Sequence, residues 1–344
     1  MNAPHPQSAL SDGRRLLEAP GATLGLPRLG SLAAAALLAC ATVRDAVADP
    51  PPIADARVET YKTVGDATLD LWIFEPAGAA GDRRPAIVFF FGGGWKGGTP
   101  RQFDPQCRHL AARGMVAITA DYRVESRQHA KPVDCVADAR SAVRWVRANA
   151  DRLGIDADRI AAAGGSAGGH IAACTAFIAE FDDPGEDADV SARPDALVLF
   201  NPALVLAPLP DLELAADWFG ARVPVDRLGT EPNRLSPAHH VARGGPPTII
   251  LHGRADALVP IVTAEAFARR MKEVGNRCEL VGYDDQPHGF FNREPWRKRT
   301  LEDATTFLES LGWLAAEPAD APTAKPVPPG SDRDGPVPAI PLPR

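Results

Sequence analysis

The sequence predicts an α/β protein built on one doubly wound, mostly parallel sheet, and three observations carry that prediction. Short apolar runs alternate with helical patterns from Arg57 to Leu314, which is the rhythm of βαβ units. Several of those runs, such as "AIVFFF" at 86–91, are apolar without a break, as strands buried on both faces must be. The polar residues with chemical potential fall directly after such runs, and an open α/β sheet binds its ligands outside the C-terminal ends of its strands.

Taken in order, "VETYKT" and "LDLWIFEP" read as an opening antiparallel hairpin, followed by strands at 86–91 and in "MVAITADY" at 115–122. The stretch 136–154 carries Ala139, Val143, Val146 and Ala150 at helical spacing. "RIAAA" at 159–163 is the next strand, and "HIAACTAFIAEF" after it is helical. "ALVLFN" (196–201), "TIILHG" (248–253) and "CELVGY" (278–283) supply further strands, with helices at 263–275 and 299–314. Segment 203–245 has little periodicity and several prolines, so it reads as a small lid-like insertion in a single domain spanning 57–314.

The ends have a different composition. The run "LAAAALLACATV" (32–43) follows Arg28 and precedes Ala46-Val47-Ala48, the pattern of a signal peptide over 1–48 cleaved before a Pro-rich lead-in at 49–56. Leu37-Leu38-Ala39-Cys40 offers the alternative of a lipoprotein anchored through Cys40. Either way the expectation is an exported protein, periplasmic or secreted. Residues 315–344 hold too much proline and too little apolar surface to fold and read as a disordered tail.

Composition narrows the partners. With 344 residues, 45% of them hydrophobic and 24% charged, the chain can bury a sizeable core. A formal net charge of −7 argues against nucleic acid or an acidic membrane surface. No stretch reaches the ~20 apolar residues of a membrane span.

"AAGGSAGGH" (162–170) sets one serine among four glycines. Phosphate-binding patterns fail here, because no Lys-Ser/Thr follows Gly169 and G-x-G-x-x-G fits in no register. G-x-S-x-G fits as Gly164-Gly165-Ser166-Ala167-Gly168, between a strand and a helix, where a nucleophilic serine sits on a turn too tight for neighbouring side chains. Asp256 follows the strand "TIILHG" and His288 follows "CELVGY", giving the chain order Ser…Asp…His. Each of these taken singly has a plain explanation, a helix cap for Asp256 or a loop histidine for His288. Three strand-end coincidences in that order point to nucleophilic catalysis. "FFFGGGWKGG" then places Gly92-Gly93-Gly94 after the strand at 86–91, where backbone N–H groups can meet an oxyanion together with that of Ala167.

With these pieces in place, the sequence resembles the α/β-hydrolase superfamily, in its hormone-sensitive-lipase-like and bacterial feruloyl/acetylxylan-esterase-like branches. The matching stretches are "FFFGGGW", "DYR" (121–123), "DARSAVRWVRANA", "GGSAGGH", "HGRADALVP" and "HGFF", across residues 57–314. The resemblance implies Ser166 as nucleophile, His288 as general base, Asp256 as its orienting acid, and Gly93, Gly94 and Ala167 as oxyanion donors. Phe91 departs from it, standing where the family carries a histidine, and "VESRQ" after "DYR" makes the secreted esterase branch the closer match.

The function expected is hydrolysis of carboxylic esters through an acyl-enzyme, on small-molecule or carbohydrate substrates. The alternatives are a serine peptidase of prolyl-oligopeptidase type, a lipase, or a non-catalytic binding protein on the same fold. No metal or organic cofactor is implied, since no Cys/His/Asp cluster has ligand spacing. The insertion, with Leu212, Leu214 and Trp218 as its apolar candidates, is too small to roof a long acyl tunnel, and Trp95 is expected to bind substrate by narrowing the acyl side. Short, acetyl-type esters follow. In an oxidising compartment Cys107 and Cys135 are candidates for a disulfide, two free buried thiols being the alternative.

Overall fold

The structure is a computed structural model that describes residues 50, 52–78, 83–212, 214 and 224–316. The export segment 1–48 with Cys40, residue Trp218 and the tail from 317 onward lie outside the described residues.

Strands β1 (Arg57–Val64) and β2 (Ala67–Phe74) pair as the expected antiparallel hairpin about Gly65 and Asp66. Then come β3 (Arg84–Phe90), β4 (Val116–Ala120), β5 (Ile155–Gly165), β6 (Ala196–Phe200), β7 (Thr248–Gly253) and β8 (Cys278–Tyr283). They form one sheet in the order β1-β2-β4-β3-β5-β6-β7-β8, with every neighbour parallel from β4 across to β8. Among the described residues, five longer helices cover it: α1 (Asp104–Ala112), α2 (Pro132–Ala148), α3 (Ala167–Phe177), α4 (Ile261–Glu273) and α5 (Trp296–Ser310).

Strand periodicity divides the core into two layers. Ala86, Val88 and Phe90 of β3 face a cluster with Val136 and Ala139 of α2, Ile171 of α3 and Phe267 of α4. Ile87 and Phe89 face the other way, toward Leu110 of α1 and Leu301 and Phe307 of α5. The chain therefore leaves β3 on one face and β5 on the other, although the two strands are neighbours. That reversal opens a crevice at their C-terminal ends, where α/β proteins place ligands.

Most boundaries shift by one to four residues from the sequence expectation, as at the ends of β3, β4, α4 and α5. Helix α2 begins at Pro132, because proline suits a first helical position and Asp134 accepts the Lys131 N–H at 2.8 Å. Strand β5 starts at Ile155, which pairs with Arg84, and runs on through the glycines to Gly165. The last helix stops at Ser310. In the insertion, the described residues make only single turns at Val225–Leu228, Pro232–Leu235 and Pro237–His239, pinned by buried Leu204, Leu206, Leu228 and Leu235.

The disulfide expectation is overturned. Cys107 and Cys135 are both free, Cys107 in the layer under α1 and α5 and Cys135 in the layer under α2. The sheet lies between them, whereas a disulfide needs Cα atoms within about 7 Å. Cys135 instead donates its thiol to the Arg123 carbonyl at 3.1 Å. Among the described residues, no helix is long and apolar enough to cross a membrane.

Candidate active site

Ser166 sits between β5 and α3 with φ 54° and ψ −117°, a conformation that costs a non-glycine residue on the order of 1–3 kcal/mol. Its surroundings hold it there. The Ser166 N–H donates to the Phe200 carbonyl at 2.8 Å, and its own carbonyl accepts the His170 N–H at 2.9 Å. The flanking glycines have a steric cause: a Cβ on Gly168 would collide with the Phe90 carbonyl, and one on Gly164 would lie 2.5 Å from the Gly168 backbone. Strand end and helix start thus press against the end of β3, and the serine carries the elbow's one hydroxyl.

The structure brings Asp256 and His288 to this point. His288 Nε2 lies 2.9 Å from Ser166 Oγ, and His288 Nδ1 lies 2.7 Å from Asp256 Oδ2. Because a carboxylate only accepts, the Nδ1 proton belongs to the histidine and leaves Nε2 as acceptor toward the serine hydroxyl. Asp256 is buried and receives four further contacts: Asn201 Nδ2 donates to Oδ2 at 2.6 Å, the Leu258 and Val259 N–H groups donate to Oδ1 at 2.9 and 2.8 Å, and His252 Nε2 stands 3.5 Å from Oδ2. Burial alone would raise its pKa, but hydrogen bonds from His252, His288 and the Val259 N–H outweigh that and hold it far below the usual carboxylate range. His288 keeps 21% of its side chain exposed, so the line of three groups ends at solvent.

The glycine loop follows β3. Gly93 and Gly94 have φ of 128° and 62°, values that favour glycine. The Gly93 carbonyl accepts the N–H groups of Lys96 at 3.1 Å and Gly97 at 3.4 Å, and the Gly92 carbonyl lies against Gly98. In planar trans peptides the N–H is opposite its carbonyl, so the Gly93 and Gly94 N–H groups point away from that limb of the loop. Ala167 opens α3, where a backbone N–H has no carbonyl one turn earlier to bond. Gly92 is excluded as a donor to substrate, since its N–H is taken by Gln102 Oε1 at 2.6 Å.

Phe91, in place of a histidine, stacks on Tyr122 with ring centroids 4.1 Å apart, and the Tyr122 hydroxyl donates to the Phe91 carbonyl at 2.6 Å. Trp95 is buried with φ 61°, and its indole N–H donates to His170 Nδ1 at 3.3 Å. Arg227 from the insertion lies 5.5 Å over the Trp95 ring and donates to the Gly94 carbonyl. Asn201, His252, Gln102, Asn292 and Arg227 were not singled out in the sequence. Asn201 alone carried a usable signal, as the polar residue at the end of "ALVLFN", the same strand-end position that marks Ser166.

A depression of about 710 Å³ lies elsewhere, at the N-terminal ends of β5, β6 and β7, lined among others by Arg147, Asp158, Arg193 and Asp195. Its two arginines are committed: Arg147 pairs with Asp195 at 2.8 Å, and Arg193 donates to the Gly244 carbonyl. The line of Asp256, His288 and Ser166 lies at the opposite, C-terminal strand ends.

This sheet order, with a serine elbow after β5, an aspartate after β7 and a histidine after β8, is the α/β-hydrolase fold. The chain belongs to the BD-FAE family, whose profile matches residues 71–271. Thermogutta terrifontis esterase 2 with propionate bound superposes with a TM-score of 0.73 at 49% identity, covering 78% of this chain and 98% of that one. The same esterase with butyrate bound gives 0.72 at 50% identity, covering 77% and 97%. Esterase LipC of Mycobacterium tuberculosis is 31% identical over 60% of this chain and 53% of its own length. Carboxylesterase NlhH of the same species is 28% identical over 74% and 82%. The chain spans about half the length of the first curated relatives it matches.

Proposed function

We propose that this chain hydrolyses carboxylic esters, with Ser166 as nucleophile, His288 as general base and acid, and Asp256 as the carboxylate that orients and stabilises the histidine. The observation that carries the reading is the continuous line Asp256–His288–Ser166, at 2.7 and 2.9 Å, ending on a strained elbow. Ser166 Oγ attacks the ester carbonyl as its proton passes to His288 Nε2. Negative charge then grows on the carbonyl oxygen, where the N–H groups of Gly93, Gly94 and Ala167 receive it. The C–O bond to the alcohol breaks, and the departing oxygen takes the proton from His288. Water repeats the sequence on the acyl-enzyme, gives up a proton to the same nitrogen and releases the acid.

The acyl group is short in this reading, of acetyl type, and the alcohol is a carbohydrate. The propionate and butyrate complexes of the Thermogutta esterase support the first half, at 49% and 50% identity over the covered residues. Trp95 supports it too, since its burial beside the glycine loop makes a rigid wall rather than a movable one. The leader read in residues 1–48 fits a substrate met outside the cytoplasm.

A p-nitrophenyl ester series from acetate to palmitate, run beside acetylated xylan and peptide amides, tests the assignment. kcat/KM is expected to peak at acetate to butyrate, with acetate released from the polysaccharide. A peak at octanoate or longer would replace the short-acyl reading with a lipase, and turnover confined to amides would replace it with a peptidase.

A further inference from the structure

We propose that Gln102 and Asn292 form a bridge that sets the spacing between the glycine loop and the His288 loop, and that both are positioning residues for the reaction. The inference rests on the roles given above to His288, Gly93 and Gly94. Those groups must meet one carbonyl from two sides, yet they sit on loops almost two hundred residues apart in the chain.

The bridge is continuous. Gln102 Oε1 accepts the Gly92 N–H at 2.6 Å, and Gln102 Nε2 donates to Asn292 Oδ1 at 3.1 Å. Asn292 donates from both its Nδ2, at 3.0 Å, and its backbone N–H, at 3.1 Å, to the carbonyl of Gly289, the residue after His288. On the other side, the peptide unit between Phe91 and Gly92 is clamped at both ends. Its carbonyl accepts from Tyr122 and its N–H donates to Gln102. That peptide is the last one before the proposed oxyanion donors, and a Cβ on Gly92 would lie 2.9 Å from the Gly165 carbonyl. Any rotation there carries Gly93 and Gly94 with it.

The residue types explain why this anchor is needed. The Phe91 side chain has no polar atom where the resemblance implies a histidine, and the loop takes its side-chain anchor from Gln102 instead. Neither amide is deeply buried: Gln102 is half-buried and Asn292 exposed. A neutral hydrogen bond in such a setting adds little to folding. Misplacing a reacting group by about 1 Å can cost on the order of 100-fold in rate. The bridge is thus placed to matter more to turnover than to stability.

The test measures Gln102→Ala, Asn292→Ala and the double variant on p-nitrophenyl butyrate, with thermal midpoints alongside and Ser166→Ala as control. Each single variant is expected to lower kcat by about tenfold while KM stays within roughly twofold, because alignment rather than binding is lost. The double variant should be no worse than the poorer single one, because either substitution breaks the same bridge. Should an alanine variant melt early, Gln102→Met keeps the side-chain length and supplies the same comparison. A kcat within about threefold of wild type in both singles, a loss that appears in KM, or losses that multiply in the double would each overturn the bridge. An active Ser166→Ala would instead overturn the triad reading on which it rests.

Discussion

Asp138 and Asp256 are both fully buried carboxylates, yet the groups around them differ in kind. Asp138 is held by two resident cations: Arg123 grips it through Nε and Nη2, each at 2.8 Å, and Lys62 Nζ stands 3.1 Å away. Lys62 goes on to Asp183 at 3.1 Å and to the Ser141 hydroxyl at 2.8 Å, fastening β1 and the segment after α3 to helix α2. Asp256 has only dipoles: an asparagine amide, two backbone N–H groups and two imidazoles. A carboxylate beside a permanent cation has its field already spent. One surrounded by neutral donors stays ionised with its field free, which suits it to stabilise the imidazolium of the proposed proton transfer from Ser166. Buried charge by itself therefore marks nothing; a buried charge without a permanent counter-ion, next to a strained and partly exposed hydroxyl, marks the site.

The largest effect expected tests the site side of that contrast. Ser166→Ala should remove on the order of 10⁶-fold of kcat and leave the remainder to the N–H groups. Its unfolding midpoint should not fall, because the substitution keeps Cβ and removes only the hydroxyl, and the elbow's conformation is held by its backbone contacts. Wild-type turnover in the purified variant would break the comparison outright.

Exchanging the two aspartates' roles comes next. Asp256→Asn should cost about 10⁴-fold in kcat while the chain still folds, because the amide keeps one accepting oxygen but turns an NH2 toward groups that themselves donate, and it cannot carry the charge. Asp138→Ala should do the reverse and destabilise by about 3–5 kcal/mol, since it strands Arg123 and takes from Lys62 one of its two carboxylates, while kcat per folded molecule is kept. Denaturant unfolding, with active sites counted by a phosphonate that labels Ser166, separates the two. An Asp138→Ala protein that folds normally but turns over slowly would merge the two regions into one functional unit.

How much of this was legible in the sequence follows from range. Period-2 and unbroken apolar runs gave the strands, and Ser166, Asp256 and His288 announced themselves because each lies within a few residues of a strand end. Gln102, Asn292 and Arg227 gave no such sign. Their meaning is their partner, and the partner lies 190 residues away for Gln102 and 133 for Arg227. The disulfide expectation failed for a related reason. Cys107 and Cys135 are close in the chain, but nothing local says which face of the sheet each helix covers, and that depends on the direction in which the chain leaves β3 and β4. Helix α2 began four residues earlier than its apolar spacing suggested, because proline and a capping aspartate define its start rather than its buried face.

The smallest expected effect concerns a third kind of buried group, one whose charge is neither paired nor used. His170 lies fully buried one turn after Ser166; its Nε2 meets the Leu235 carbonyl at 2.7 Å, and its Nδ1 accepts from the Trp95 indole. Burial pushes its pKa down to about 4, only partly countered by the Leu235 carbonyl. The nearest titratable side chain, the Cys174 thiol 3.3 Å from Nε2, is itself kept protonated by burial and offers no compensating charge. In the unfolded chain the imidazole returns to about 6.5, so between these values the unfolded state binds a proton that the native state refuses. Stability is then complete above about pH 6.5 and is lost as pH falls toward 4, by about 2 kcal/mol near pH 5. Protonation at Nδ1 would also remove the acceptor that anchors Trp95, loosening the glycine loop from α3. Denaturant unfolding of wild type and His170→Gln near pH 7.5 and pH 5 reads this directly, with the wild type losing about 2 kcal/mol more than the variant on acidification. Equal losses in the two proteins would mean that His170 does not titrate in this window and that the link between Trp95 and α3 is indifferent to acid.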